Sequence, residues 1–216
     1  MQKCHKNTVL TNIYRNFVPN LKEMDSLTYI FRENFGVLKT NDIINRTQRR
    51  ALNDMLKDNS VSKIKRGLYR LSDFEQDTSL IEVLNIVPCG VFCMFSAWFY
   101  YNLTTTIPHE HHIAVTQNRK IRLPKNPPIK LYYLSEKFHQ SGIIQVNIHN
   151  QPVSMYDLEK SVCDAVRFRN KVGIDIAIEV VKNYVRRKDR NFEKLIKYAR
   201  QLRIENILQN MIIPML

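Results

Sequence analysis

Polar and basic side chains between residues 47 and 57 have the chemistry that proteins use to recognise DNA bases. If the apolar residues of this stretch form the buried face of a helix, its polar residues lie on or near the outer face. In the major groove, arginine pairs bidentately with guanine, and asparagine or glutamine pairs in the same way with adenine. The apolar positions are Ala51, Leu52, Met55 and Leu56. The predicted DNA contacts are Thr47, Gln48, Arg49, Arg50, Asn53 and Lys57.

A second group of basic side chains follows at a predicted turn between two β-strands. The apolar residues around Gly67 form two short β-type runs, which indicate a hairpin. Lys63, Lys65 and Arg66 lie at its tip, where they would contact phosphates or the minor groove and add affinity without reading sequence. Two alternatives stay open: ordinary solvated charges, and a domain of the same shape that binds protein instead of DNA.

The elements around these residues predict a winged helix-turn-helix at residues 25–75. Asp25-Ser26 can cap a first helix, and Gly36 can end it. Thr40 opens a very short second helix, and Thr47 can cap the third. Helix, short helix, turn, helix and two-stranded hairpin follow one another in a winged helix-turn-helix.

The net charge favours a polyanionic partner. The chain has 216 residues and 33 Lys and Arg against 20 Asp and Glu, which gives +13. The surplus is concentrated in residues 1–75 and 150–216. In the second block the basic residues form one face of amphipathic helices, which predicts either solvation or a second, non-specific DNA surface. The candidates are Arg186, Arg187, Lys188, Arg190, Lys194, Lys197 and Arg200.

The remainder of the chain predicts an α+β fold, with strands followed by a helical tail. We expect a helical extension at 1–24, with an amphipathic helix over 8–17, and a mixed α/β domain with a helical C-terminal tail at 79–216. The most apolar run, 91–101, is too short to span a bilayer. Scattered cysteines and a polar start favour a cytoplasmic protein with reduced, buried thiols and no membrane partner.

Neither a metal site, a cofactor nor catalysis is predicted. His109 to His112 lack the HExxH spacing, and a surface position is expected for them. Gly-Ser pairs, carboxylate-x-Lys triplets and Gly-rich phosphate loops are missing from the sequence. Asp157, Glu159 and Asp164 cluster, but acids at a helix start are favoured by the macrodipole alone. A nuclease or nucleotidyltransferase that uses these acids is the weakest alternative.

Several motifs resemble the AbiEi-type antitoxins of bacterial abortive-infection systems. The first is 67–71, at the end of the predicted hairpin. Others are 87–97 with 102–105 and 107–108, and 157–164 with Arg167, Arg169 and 173–175. Their order and spacing together carry the resemblance, which runs from Asp25 to the end of the chain.

The resemblance implies a DNA-binding winged helix joined to an antitoxin domain. Such proteins bind inverted repeats in their own promoter, often cooperatively, and repress a toxin–antitoxin operon. Their partner is an AbiEii-type, nucleotidyltransferase-like toxin, which in this class is counteracted functionally rather than by assumed direct contact. Some relatives act only as regulators, and neutralisation by direct binding is the alternative.

Overall fold

The computed structural model describes residues 23–75, 78–148 and 151–215 of a mixed α+β protein. The chain divides into two compact units, Met1–Pro88 and Cys89–Leu216. The helix predicted over 8–17 lies outside the described residues. Within the described part of the chain, no helix is long and apolar enough to cross a membrane.

Three helices, a short 3-10 turn and a three-stranded sheet form the described part of the first unit. They are α1 (Glu23–Glu33), β1 (Val37–Lys39), the 3-10 turn (Thr40–Asp42), α2 (Arg46–Lys57), β2 (Val61–Lys65), β3 (Leu68–Leu71) and α3 (Ser79–Ile86). The sheet is antiparallel, with strand order β1-β3-β2. The sequence predicts a domain boundary at 76–78, before α3. In the structure α3 belongs to the first compact unit, which ends at Pro88.

A hydrophobic core joins α1, α2 and one face of this sheet. Its most buried members include Leu27 and Phe31 of α1, Leu52 and Met55 of α2, and Leu38 of β1. Burial of each such side chain contributes about 1.5–3 kcal/mol, so this core fixes which face of α2 can point outwards.

The link from α1 to β1 requires a glycine. Gly36 has φ +77°, its N–H donates to the Phe31 carbonyl at 2.7 Å, and a Cβ at this position would lie 2.6 Å from the Phe74 ring. The predicted stop at Gly36 is close to the end of α1 at Glu33. The predicted start at Asp25 is wrong, because α1 begins at Glu23.

The second unit contains a five-stranded mixed sheet with order β6-β5-β4-β8-β7. Its strands are β4 (Val91–Phe92), β5 (His111–Thr116), β6 (Ile129–Leu134), β7 (Ile143–Ile148) and β8 (Gln151–Tyr156). Its helices are α4 (Met94–Tyr100), α5 (Glu136–Gln140), α6 (Leu158–Arg167), α7 (Arg169–Val172), α8 (Ile174–Val185), α9 (Phe192–Gln201) and α10 (Glu205–Ile212). The predicted order of strands followed by a helical tail is confirmed, whereas the short helices α5 and α7 were not predicted.

Helix α6 is the central helix of the second unit. It contacts α4, α8 and α9, and all its residues from Leu158 to Val166 are buried. Cys163 on this helix and Cys93 before α4 are free and buried, as predicted. Cys89 is exposed and disulfide-bonded, so the prediction of a reduced, buried thiol is wrong at that position.

Candidate nucleic-acid interface

Helix α2 presents a basic outer face because its apolar face is committed to the core. Ala51, Leu52 and Met55 are buried, and one turn is 3.6 residues. The opposite face therefore carries residues that recur at three- and four-residue intervals along about 16 Å of helix. These exposed residues are Arg46, Arg49, Arg50, Asn53 and Lys57, with Asp54 at one side.

The first turn of α2 is fixed by two side chains that point at the backbone. Asn45 is the N-cap, and its side chain accepts a hydrogen bond from the Gln48 N–H at 2.7 Å. In return, Gln48 Oε1 accepts the Ile44 N–H at 2.9 Å. The pair resembles a capping box, with an amide at the third helical position, except that Gln48 accepts the N–H of the residue before the cap.

Two predictions about this turn are therefore wrong. Thr47 is not the cap, because Asn45 holds that place and Thr47 is the second helical residue, half-buried. Gln48 does not lie on the outer face, because its side chain is buried and its amide oxygen is used by the backbone. A buried capping residue cannot also pair with adenine.

Arg46 also belongs to the outer face, although it is not among the predicted DNA contacts. It is the first residue of α2 and is exposed. The signal was available in the sequence: asparagine is among the strongest N-caps, and Asn45 followed by Gln48 has the spacing of a capping box. Starting the helix at Thr47 placed Arg46 in the preceding turn.

The arginines of α2 are not paired with acidic side chains of the described residues, which leaves them available to an external partner. Among the described residues, no carboxylate lies within 4.0 Å of the guanidinium of Arg46, Arg49 or Arg50. Lys57, at the far end, has an exposed partner in Asp54 at 2.8 Å. Positive charge is thus concentrated at the N-terminal half of the helix.

The β2–β3 hairpin is confirmed, and it places two of its three predicted basic contacts in solvent. Lys63 and Arg66 are exposed. Lys63 pairs with Tyr69, and two residues earlier Val61 pairs with Leu71. The side chains of Val61 and Leu71 enter the core shared with α2. Because side chains alternate along a strand, Lys63 lies on the α2 side of the sheet.

Lys65 occupies the other face of the sheet. Its Nζ donates to the carbonyls of Asn85 at 3.3 Å and Ile86 at 3.1 Å, at the C-terminus of α3. A register shift between Lys63 and Lys65 accompanies this change of face. The expectation that Lys65 lies free at the hairpin tip is wrong, because its ammonium group caps the last carbonyls of a helix.

The surroundings of Lys65 also disfavour its charge. Partial burial and, to a smaller extent, the nearby Lys39 lower the pKa of the Lys65 ammonium. Arg70, on the same face, donates to Glu82 of α3 at 3.2 Å, and Thr78 donates to the same carboxylate. This face of the sheet is therefore used to attach α3.

The predicted second basic surface is smaller than the sequence indicated. Arg187 donates to both carboxylate oxygens of Asp189 at 2.8 Å and to the Tyr101 carbonyl at 2.7 Å. Arg200 donates to Glu205 at 2.9 Å. These two guanidinium groups are satisfied within the second unit.

Two further members of that surface are also engaged. Lys194 Nζ lies 3.2 Å from Asp157 and 3.4 Å from Glu159. Arg190 donates to a backbone carbonyl and lies over the Phe192 ring, 5.4 Å from its centroid. The members that are exposed and have no carboxylate, carbonyl or ring partner among the described residues are Arg186, Lys188 and Lys197.

His112 is buried rather than exposed, which corrects the prediction for the histidine run. Its Nδ1 lies 2.9 Å from the Tyr132 hydroxyl, and its ring stacks on that tyrosine. Burial lowers the pKa of His112 to about 4, which makes the neutral imidazole the folded form. Among the described residues, no three histidine, cysteine, aspartate or glutamate side chains are grouped to hold a metal.

The acids at the start of α6 belong to a buried ionic network. Asp157 is the N-cap of α6, since its side chain accepts the Lys160 N–H at 2.8 Å. Lys160 is fully buried, and its Nζ donates to both oxygens of Asp164 at 2.7 Å. Glu159 is buried as well and accepts from Tyr184. Helix-start electrostatics alone does not explain these acids, because Asp157, Glu159 and Asp164 each have a specific side-chain partner.

Comparison with known proteins supplies no family for this chain. No protein-family model matches it, and no curated protein matches it either.

Proposed function

We propose that residues 23–75 form a winged helix-turn-helix that binds duplex DNA, with α2 as the recognition helix and the β2–β3 hairpin as the wing. The element order supports this proposal: α1 packs on α2, a 3-10 turn precedes α2, and a three-stranded antiparallel sheet completes the unit. In a winged helix-turn-helix the third helical element enters the major groove, with its N-terminal residues near the base edges.

The outer face of α2 is the single observation that carries the proposal. Three arginines without carboxylate partners among the described residues occupy its first turn and a half, and Asn53 follows on the same face. A stable solvated helix would gain from acids in its first turn, because the N-terminus carries partial positive charge, yet α2 has none there. The concentration of arginine against that local preference favours an anionic partner.

Base-reading and backbone-binding roles divide between two groups. Arg46, Arg49, Arg50 and Asn53 are proposed to contact base edges and the adjoining phosphates of the major groove. Lys63 and Arg66 are proposed to contact phosphates from the wing. In the second unit, Arg186, Lys188 and Lys197 would add non-specific backbone contacts.

A regulatory role in a toxin–antitoxin operon is the wider part of the proposal. It is supported by the resemblance of the motifs at 67–71, 87–97 and 157–175, and it includes promoter inverted repeats, self-association on DNA and a functional relation to an AbiEii-type toxin. Several of these motif residues are core or network residues in this chain, such as Val91, Cys163 and Asp164. The matching pattern therefore includes residues that stabilise the fold, and the functional relation to a toxin needs a separate test.

Duplex binding should be measured by fluorescence anisotropy with labelled DNA from upstream of the protein's own gene. We expect tighter binding to this duplex than to a scrambled one of equal length. Arg49→Ala/Arg50→Ala should remove the preference, at about 1–3 kcal/mol for each lost bidentate base contact. Arg186→Ala/Lys188→Ala removes the same charge from the other unit and should keep the preference.

Two results would overturn parts of this proposal. If neither duplex binds at moderate salt while the neighbouring gene product does, the domain is a protein-binding module. If both double variants weaken binding equally and leave the preference intact, α2 does not read bases.

A further inference from the structure

Ile44 lies two residues before the start of α2, and its large apolar side chain is exposed to solvent. Its side chain is 67% exposed, whereas that of Ile43 is 6% exposed. The backbone here is extended, with ψ 115° at Ile43 and 168° at Asn45, so successive side chains point to opposite sides. Ile43 enters the core shared with α2, and Ile44 therefore points away from it.

The usual apolar partner of a residue at this position is missing. A hydrophobic residue before an N-cap often packs on the fourth helical residue, but in α2 that residue is Arg49. The backbone of Ile44 is nevertheless anchored, because its N–H donates to the buried Gln48 side chain at 2.9 Å. An apolar side chain thus lies at the N-terminal end of α2, on the side away from the core and two residues before Arg46.

We propose that Ile44 contacts the 5-methyl group of a thymine in the major groove and thereby helps to determine sequence specificity. This rests on the DNA-binding function proposed above. The thymine methyl is the only apolar group that a base pair presents in the major groove, and apolar side chains near the start of a recognition helix read it. The surrounding arginines select a polyanion, which argues for DNA rather than an apolar protein surface as the occupant.

The test compares thymine with uracil, which differ only in that methyl group. The preferred duplex is first selected from a random library with the full-length protein, and each thymine in it is then replaced singly by uracil. Wild type should bind about fourfold more weakly when the contacted thymine is replaced, the factor for loss of one buried methyl group. Ile44→Ala should bind the thymine and uracil duplexes equally.

Ile107→Ala provides a matched control, because Ile107 is 66% exposed and belongs to the second unit. It should discriminate as wild type does. The inference is overturned if no single replacement affects wild-type binding, or if Ile44→Ala still discriminates by the same factor. Failure of the wild-type protein to bind any duplex at low salt would overturn the DNA-binding function itself, which separates the two failures.

Discussion

Replacing Lys65 and Arg66 separately should produce two different effects, although the two are adjacent basic residues of one hairpin. Lys65 Nζ is bound to the last carbonyls of α3, at 3.1 and 3.3 Å, while Arg66 is exposed. Lys65→Met and Arg66→Met remove the same charge one residue apart. The first should loosen α3, and the second should weaken phosphate binding.

The magnitudes follow from these surroundings. A hydrogen bond to a charged group contributes about 1.5–3 kcal/mol, but solvent screens the half-exposed Lys65, so we expect a loss of about 1 kcal/mol. That corresponds to roughly fivefold faster amide exchange over the last turn of α3. For Arg66, each lost phosphate contact should reduce the slope of log K against log salt concentration by about 0.9.

Two measurements separate the effects. Amide hydrogen exchange over residues 82–87 reports α3, and titration of a non-specific duplex at several salt concentrations reports phosphate contacts. The reasoning is refuted if Lys65→Met flattens the salt slope as much as Arg66→Met and leaves exchange in α3 unchanged.

Three further predictions concern the scaffold. Gln48→Ala should cost about 1 kcal/mol of unfolding free energy by urea denaturation, whereas Gln48→Glu keeps an acceptor at the helix start and should cost little; equal losses would contradict the capping role. Because burial lowers the pKa of His112 to about 4, the unfolded state takes up the proton first, so stability should fall as pH decreases from 6.5 to 4, by about 3 kcal/mol. His112→Phe should remove that part of the pH dependence, and an unchanged pH profile would count against it. Asp164→Ala strands the buried Lys160 ammonium and should cost about 3–5 kcal/mol, while Lys160→Met/Asp164→Leu should recover most of the loss; no recovery would mean that the pair is not an isolated ionic unit.

The elements with a clear hydrophobic period were predictable from the sequence. The hairpin at 61–71, the strands from β5 to β8 and the long helices from α6 to α10 follow from alternating or helical spacing of apolar residues. The three-residue strand β1 and the short helices α5 and α7 were missed because each contains fewer than two periods of its element, too few to show a repeat. Tertiary pairing with β3 creates β1.

The position of the candidate site, on α2 and the hairpin, was predicted from the sequence, but not all of its residues were. The residue types along α2 were enough to predict its basic face. They could not show which basic side chains have hydrogen-bond or carboxylate partners in the folded protein. Lys65 and Arg187 look like any other surface cation in the sequence, and only the fold brings carbonyls or a carboxylate to them. Gln48 has an amide of the kind that pairs with adenine, but in the fold its oxygen accepts a backbone N–H.

Selection of bound duplexes from a random library tests the central claim, that the outer face of α2 reads DNA sequence. Wild type should enrich one motif. Arg46→Ala/Arg50→Ala/Asn53→Ala, which leaves the buried face of α2 and the hairpin intact, should still bind at low salt but enrich no motif. Enrichment of the same motif by this variant, or of none by wild type, would contradict the account.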